Sequence, residues 1–277
     1  MNQTIDLVLS GGSVQGLCVH AGFLEAIEGE VDIARLATCS AGTVVGALWA
    51  IGWPAQDIWR LVNDIDFGEY LSLSLWGKAK FAWRGHVSDG EAYRKLLGEL
   101  FGHRRSRETR TEMRIAVSNL TDGCLESWGW GNADLPLADA VYASSAIPGA
   151  FKPLKLGEKI YADGGVYAHF PVQLLRDHSV ADQPLVGHRF DNLQVAEGDL
   201  CGLDMLWLTL DRLTDANADA GEALANIDCH LQPSIVCSTR GVRTEERVDL
   251  PKAQREYLRQ IGRAAGKRAL AVLPSVD

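Results

Sequence analysis

The chain has 277 residues, of which 47% are hydrophobic and 23% are charged, and its formal net charge is −9. This length and composition are typical of a globular protein with a sizeable core, and the negative charge argues against a nucleic-acid-binding protein. The six cysteines lack CxxC spacing and are too sparse for a disulfide scaffold, so a reducing, cytoplasmic location is expected.

The first predicted element is a buried strand at residues 5–10 that leads into a glycine loop. The loop, GGSVQG at 11–16, precedes a helical pattern at 17–28. Glycines bring backbone N–H groups close to a ligand, and a helix N-terminus favours negative charge. A tight turn, a nucleotide phosphate site and an oxyanion hole all fit this order. The GGxxxG spacing differs from GxGxxG, which disfavours a dinucleotide site.

Ser40 lies at the corner between a predicted strand at 33–38 and an apolar helix at 43–50. A serine at such a corner exposes its hydroxyl and lies near the positive end of the helix dipole, and both features suit a nucleophile. Serine is also a favoured N-cap residue. The corner alone does not separate a nucleophile from a cap.

The middle of the chain is predicted to contain further helices and two hairpins. Pro54 begins one helix, and Ser88 begins another because Glu91 follows it at capping-box spacing. Strands are predicted at 113–120, 124–130, 151–156 and 159–162, with a short helix at 137–145. The segment 67–84 has no clean periodicity. It fits either a cover over a lipid site or a surface loop with buried anchors.

Asp163 comes at the end of a predicted strand and is followed by Gly164 and Gly165. An acidic side chain in this position can face a site over an open backbone. An Asp-Gly turn without any chemistry fits the same residues.

The remaining chain is predicted as a loop at 183–200, a buried strand at 203–210 and a last helix at 251–273. This helix has an apolar side and a basic stripe formed by Arg255, Arg259, Arg263 and Lys267. The stripe fits a solvated outer face or a face resting on an anionic bilayer. Because no repeat is present, we expect a single mixed α/β domain over 1–277, with its motifs at about 5–210 and a helical C-terminal part at 211–277.

Four stretches, in this order, resemble the patatin-like phospholipase family: LVLSGGSVQG at 7–16, TCSAG at 38–42, ASSAIPGAFKPL at 143–154 and YADGGVYAHFPV at 161–172. The resemblance covers about the first two-thirds of the chain. It implies a three-layer α/β/α fold with a mostly parallel central sheet and an elbow serine between strand and helix. It also implies hydrolysis of a lipid or phospholipid ester by a Ser–Asp dyad, with no cofactor and no metal.

By position, Ser40 matches the family nucleophile and Asp163 its general base. The amides around Gly11, Gly12 and Ser13 match its oxyanion hole, and the supporting motif glycines are Gly16, Gly42, Gly164 and Gly165. Fixed oxyanion donors contribute about 3–4 kcal/mol each in acyl-transfer sites. A carboxylate with a pKa near 3.9 is a poor base for a serine proton, so we expect Asp163 to be enclosed.

The sequence departs from the family pattern at four positions. Thr38 replaces the first glycine of GxSxG, and Ser13 replaces a glycine of the oxyanion loop. Gln15 stands where a basic residue is usual, and His169 stands where DGGxxxNxP would place asparagine. These changes leave catalytic efficiency and head-group preference open.

Two alternatives to a phospholipase A-type hydrolase follow from the same residues. One is a Ser–Asp–His esterase that uses His169, although only six residues separate His169 from Asp163. The other is a non-catalytic lipid-binding protein on a decayed hydrolase fold. The sequence has no secretory signal and no apolar run of about 18 residues, so we expect neither secretion nor a membrane span. Peripheral membrane contact stays open.

Overall fold

An eight-stranded sheet forms the centre of the protein. The computed structural model describes residues 2–70, 84–130, 133–176, 183–190, 202–227, 234–238 and 250–274. Most of the segment considered above as a cover, residues 71–83, lies outside these ranges.

The described strands are β1 Gln3–Leu9, β2 Val31–Thr38, β3 Glu112–Asn119, β4 Cys124–Gly129, β5 Leu154–Leu156, β6 Lys159–Asp163, β7 Leu185–Arg189 and β8 Ser234–Ser238. The described α-helices are α1 Ser13–Ile27, α2 Ala41–Ala50, α3 Ala55–Asp64, α4 Glu91–Phe101, α5 Leu137–Ser145, α6 Gly165–Ala168, α7 Gly202–Ile227 and α8 Lys252–Val272. Two short 3₁₀ helices span Phe67–Glu69 and Val172–Leu175.

Hydrogen-bonded neighbours connect the strands in the order β5-β6-β3-β2-β1-β7-β8, with β4 also paired to β3. Strands β3, β2, β1, β7 and β8 run parallel, whereas β4, β5 and β6 pair antiparallel. Successive side chains of a strand point to opposite faces. Accordingly, Leu7 and Leu9 belong to a large core with α1–α5 and α8, while Val8 belongs to a second core that includes Ala218 of α7. The predicted three-layer α/β/α fold with a mostly parallel sheet is confirmed.

The register of β3 brings two strand ends together. Ile115 pairs with Thr38 of β2, and Val117 pairs with Asp163 of β6. Strand β4 pairs with both Ile115 and Val117, so β2 and β6 must share the opposite edge of β3. Because β2 is parallel to β3 and β6 is antiparallel, their C-terminal ends run toward each other. The segment after β2 therefore meets Asp163.

Two predicted elements near the C-terminus are wrong. The predicted loop 183–200 contains β7, and the predicted strand 203–210 lies inside α7. The part predicted as helical, 211–277, contains most of α7, then β8 and α8. A short apolar run does not distinguish a buried strand from a buried helix. Strand β7 was missed because His188 and Arg189 are polar, although both are buried.

The helix predicted to begin at Ser88 begins at Glu91, after Gly90 as its N-cap. The Ser88 hydroxyl accepts a hydrogen bond from Gly90 N–H at 3.2 Å, so it stabilises the turn before the helix. A positive φ of 77° at Gly90 explains why the capping-box register is not used.

The basic stripe predicted on the last helix is partly an internal surface. Arg255 is buried, and Arg259 donates to the Glu25 carboxylate at 2.6 and 2.8 Å. Close helix packing causes this burial, because α8 lies against α1. Lys267, at the other end of the stripe, is exposed.

Candidate active site

Ser40 occupies a strained turn between β2 and α2. Its backbone angles are φ 48° and ψ −118°, and its hydroxyl makes no capping hydrogen bond. A non-glycine residue in such a conformation costs about 1–3 kcal/mol and persists only where its surroundings hold it. The end of β1 supplies part of this support, because Leu9 O accepts from Cys39 N–H at 3.1 Å and Ser10 O accepts from Gly42 N–H at 3.1 Å. This turn presents Ser40 as an elbow residue.

Two motif glycines let the backbone close around the elbow. A Cβ on Gly42 would lie 2.6 Å from the carbonyl oxygens of Leu9 and Ser10, which is too close for any side chain. A Cβ on Gly16 would lie 3.1 Å from the Ala41 side chain. Gly42 is therefore required for the contact between α2 and β1, whereas Gly16 leaves room for a tight approach of α1 to the elbow.

A chain of buried hydroxyl groups supports the elbow from within. Ser40 N–H donates to Ser144 Oγ at 3.2 Å, and Ser144 Oγ lies 2.8 Å from Thr43 Oγ1. The Thr43 hydroxyl donates in turn to Thr38 Oγ1 at 3.0 Å. The methyl group of Thr38 lies 2.9 Å from where a Cβ on Gly46 would be, so Gly46 makes room for it. Thr43 and Gly46 of α2 thus accommodate Thr38, which departs from the family pattern.

Asp163 is enclosed, as expected from the sequence. Burial is the main cause that raises the pKa of its carboxyl to about 6, and the Ser40 side chain, the Gly165 amide and the Cys39 thiol partly offset it. Oδ1 accepts from Gly165 N–H at 2.8 Å, and the Cys39 Sγ lies 3.8 Å away. Oδ2 is buried and has no partner of standard hydrogen-bond geometry among the described residues. Oδ1 of Asp163 is therefore held by a hydrogen bond, and Oδ2 is available to accept one.

Gly164 brings the turn after Asp163 against the sheet. A Cβ at this position would lie 2.4 Å from Ala116 O. Asp163 N–H donates to Ala146 O at 3.0 Å, and Gly164 N–H donates to Ser144 O at 3.3 Å. The segment after α5 therefore contacts both the elbow and the aspartate turn.

The three amides of the glycine loop differ in their hydrogen bonding. Gly11 N–H donates to His169 O at 2.9 Å, so this amide is already engaged. Gly12 and Ser13 have positive φ values of 150° and 53°, and neither amide donates to the backbone of a described residue. A Cβ on Gly12 would lie 2.7 Å from the Phe190 ring, which excludes larger residues. Of the three amides predicted as oxyanion donors, that of Gly11 is therefore engaged in a backbone hydrogen bond, and those of Gly12 and Ser13 are not.

His169 lies against the glycine loop. Its Nε2 atom is 2.5 Å from where a Cβ on Gly11 would be. Among the described residues, no hydrogen bond joins its ring to Asp163 or Ser40. Gln15, which stands where a basic residue is usual in the family, is fully buried.

A buried histidine pair under the glycine loop was not predicted. His20 Nε2 lies 2.8 Å from Ser10 O, and His20 Nδ1 lies 2.9 Å from His188 Nδ1. Because a carbonyl only accepts, His20 carries its proton on Nε2 and accepts from His188. Burial lowers the pKa of His20 to about 4 and that of His188 well below its ordinary value, so both rings are neutral at neutral pH. A polar residue within the apolar α1 was the one local signal for this pair.

An apolar pocket opens beside the elbow. It holds about 880 Å³ of empty space, counting the part open to solvent, and Ser13 and Ser40 belong to its lining. Its walls come mainly from α1, α2, α3 and α4. The Tyr93 hydroxyl is 2.9 Å from Ser145 Oγ, which donates to Val141 O at 2.7 Å, so these polar groups satisfy each other. The pocket suits a hydrocarbon chain whose polar end lies at Ser40.

Within the described residues, no group of three or more His, Cys, Asp or Glu side chains is placed to hold a metal ion. None of the helices in the described ranges is both long and apolar enough to cross a bilayer.

A family model described as patatin-like phospholipase matches residues 7–176. The chain is 30% identical over 207 residues to the uncharacterized protein YqhO of Bacillus subtilis (strain 168), across 66% of this chain and 70% of that protein. It is 26% identical over 215 residues to Lysophospholipase NTE1 of Candida glabrata, across 76% of this chain but 12% of that protein. The Saccharomyces cerevisiae Lysophospholipase NTE1 matches at 26% over 217 residues, with the same coverage of 76% and 12%. The chain thus corresponds to a small part of these lysophospholipases.

Among solved structures, VipD from Legionella pneumophila has a similar fold, with a TM-score of 0.54. The alignment covers 98% of this chain and 67% of that chain, at 14% sequence identity. At this identity the likeness concerns the fold alone.

Proposed function

The chain belongs to the patatin-like phospholipase family, and on that premise we propose that it is a serine carboxylic-ester hydrolase acting on lipids through a dyad of Ser40 and Asp163. The proposal is supported by a strained elbow serine beside a buried aspartate that has one available oxygen. Cys39, the neighbour of Ser40, lies 3.8 Å from Asp163 Oδ1, and the Ser40 side chain lowers the pKa of Asp163. A pKa of about 6 makes this aspartate a better base than an exposed carboxylate while leaving it ionised at neutral pH.

In the proposed first half-reaction, Asp163 takes the proton of the Ser40 hydroxyl as Oγ bonds to the acyl carbonyl carbon. The carbon–oxygen bond to the leaving alcohol then breaks, and Asp163 returns the proton to that oxygen. In the second half-reaction, water attacks the acyl-serine, gives its proton to Asp163, and releases the fatty acid as Ser40 is reprotonated. This cycle needs no histidine.

The amides of Gly12 and Ser13 are proposed as the oxyanion donors. Both precede the body of α1, so the positive end of the helix dipole adds to their effect. Gly11 supports the loop through its hydrogen bond to His169 O instead of donating to the substrate.

The proposed substrates are phospholipids or lysophospholipids, with an acyl chain in the apolar pocket. The yeast relatives are named lysophospholipases, which supports a lipid carrying a single acyl chain. An enzyme that takes such a substrate from a bilayer needs peripheral membrane contact. That contact, the cytoplasmic location and the single-domain organisation of residues 1–277 stay predictions from the sequence.

The test is hydrolysis of a p-nitrophenyl ester and release of fatty acid from phospholipid vesicles, with labelling by a fluorophosphonate probe. Ser40→Ala should lower turnover by about 10³-fold or more and abolish labelling. Ser145→Ala removes another hydroxyl from the same pocket and should retain labelling. Turnover by Ser40→Ala equal to wild type would refute the nucleophile.

Two further outcomes address the alternatives. His169→Asn should retain activity, because the proposed dyad cycle needs no histidine; a loss like that of Ser40→Ala would favour the Ser–Asp–His esterase. Wild-type protein that neither turns over esters nor reacts with the probe, yet binds vesicles, would favour the non-catalytic lipid-binding protein.

A further inference from the structure

Arg255 is a buried cation that binds backbone carbonyls. It lies on α8 with 6% of its surface exposed. Its Nη1 donates to the carbonyl oxygens of Val62, Asn63 and Ile65 at 3.1, 2.9 and 2.8 Å, and its Nε donates to Leu250 O at 2.8 Å. The last carbonyls of a helix have no partner within the helix. Arg255 therefore caps the C-terminal end of α3 from another element.

The same guanidinium contacts the residues that follow α3. Its Cζ lies 5.3 Å from the centre of the Phe67 ring, within range of a cation–π interaction. Val62, Ile65 and Phe67 all line the apolar pocket that contains Ser40. Arg255 itself does not line the pocket. It thus holds one wall of the pocket from behind.

A planar guanidinium is suited to this task, because its donors reach several carbonyls while its face lies on an aromatic ring. An ammonium group is a compact point charge and does not reproduce both contacts. Helix α8 also lies outside residues 7–176, which the family model matches. The support for this wall therefore comes from beyond the matched region.

We propose that Arg255 is a positioning residue that sets acyl-chain preference, by holding the end of α3 and Phe67 against the bound chain. The inference rests on the proposed ester hydrolase function. Loosening the wall weakens contact with the distal methylenes of a long chain, whereas a short acyl group reacts at Ser40 without touching it. Losing contact with about two methylene groups corresponds to about a tenfold loss of binding.

The experiment compares p-nitrophenyl dodecanoate with p-nitrophenyl acetate in wild type, Arg255→Lys and Arg255→Met. We expect kcat/KM for the dodecanoate to fall about tenfold, mainly through KM, and that for the acetate to change less than about twofold. Phe67→Leu should shift the ratio of the two substrates in the same direction.

Arg259→Met is the matched control on the same helix. Arg259 pairs with Glu25 and lies over the Trp59 ring at 4.9 Å, and neither partner lines the pocket. This variant should lower thermal stability while keeping the wild-type ratio. A purely structural role of Arg255 would give the same behaviour as this control.

A folded Arg255→Lys protein with the wild-type ratio of dodecanoate to acetate would overturn the inference. If Arg255→Met does not fold, the lysine variant and Phe67→Leu decide the question. If wild type hydrolyses neither ester, the inference is decided by binding of a fluorescent long-chain fatty acid, and the proposed function itself fails if wild type also releases no fatty acid from phospholipid vesicles and is not labelled by the fluorophosphonate probe. Equal affinity in wild type and Arg255→Lys would then overturn it.

Discussion

At the scale of single residues, the Asp163 carboxyl determines how the site responds to pH. Its pKa is raised by burial from 3.8 to about 6. Between these values the folded chain binds more protons than the unfolded chain, so the free energy of unfolding falls as the pH rises. The destabilisation by the buried charge is complete above about pH 6 and absent below about pH 4.

We therefore predict that Asp163→Asn is more stable than wild type at pH 8, by about 1–3 kcal/mol, and that the difference disappears near pH 4. Urea unfolding at pH 4, 6 and 8 measures it. Asp57→Asn, which alters an exposed ion pair with Arg60, should change stability little at any of these values. A difference between Asp163→Asn and wild type that does not vary with pH would contradict the assignment of the raised pKa.

The hydroxyl chain behind Ser40 leads to a second residue-scale prediction. Ser144→Ala removes the acceptor of Ser40 N–H and the partner of the Thr43 hydroxyl. Leaving buried polar groups unsatisfied should cost about 1–3 kcal/mol of stability. Because the elbow is strained, we expect kcat to fall about tenfold with little change in KM. Steady-state kinetics on a p-nitrophenyl ester together with thermal unfolding measure both effects.

Thr43→Ser is the control for this prediction, since it keeps the hydroxyl chain and should retain the wild-type kcat. Wild-type kcat in a folded Ser144→Ala protein would mean that the elbow is held without this chain.

At the scale of elements, the packing of α8 on α1 depends on glycines. A Cβ on Gly262 would lie 1.9 Å from Val19 O, and a Cβ on Gly22 would lie 2.1 Å from Arg259 O. Real Cβ atoms do not approach backbone so closely, so any side chain would force the helices apart. Helix α1 also begins at the glycine loop, so this contact supports the candidate oxyanion donors as well as the core.

Gly262→Ala should accordingly destabilise the protein by about 1–3 kcal/mol or more through overpacking. Gly98→Ala is the matched control, because a Cβ there has nothing within 4 Å and lies inside α4. It should stabilise the protein by about 0.5–1 kcal/mol through helix propensity. Chemical denaturation of both variants tests the pair, and equal effects would contradict the packing argument.

At the scale of the whole molecule, the C-terminal helix is part of the main core. Leu258, Ala265 and Ala269 of α8 are buried in the same cluster as the apolar residues of α1. A chain ending at residue 249 would expose that face of α1 and leave the end of α3 without its cap.

We predict that this truncated chain loses cooperative thermal unfolding and near-ultraviolet circular dichroism, and binds a hydrophobic dye. The full chain carrying Lys267→Ala, on the exposed side of the same helix, should unfold like wild type. Native-like unfolding of the truncated chain would show that α8 is dispensable for the core.

Much of the fold was predictable because its signals are local. Strand β1, the glycine loop, the elbow at Ser40 and the hairpins of β3 to β6 are indicated by periodicity, glycines and turn residues within a few positions of one another. The predictions for β7 and for the start of α7 were wrong because both sequence patterns are ambiguous. A strand with buried polar residues resembles a loop, and a short apolar run inside a helix resembles a strand. The family could be predicted because its motifs are also short and local, and the match of the family model to residues 7–176 confirms it.

The sequence by itself determined which residues are candidates for chemistry, because nucleophile, acid and glycine loop are each recognised from neighbours along the chain. Only the tertiary structure decided which of them meet and in what state. The shared edge of β3 brings the ends of β2 and β6 together, and enclosure raises the pKa of Asp163. The tertiary structure alone also decided that the Gly11 amide is engaged by His169 O and that Arg255 caps α3. These are contacts between positions far apart in sequence, and they depend on strand register and helix packing, which no local pattern encodes.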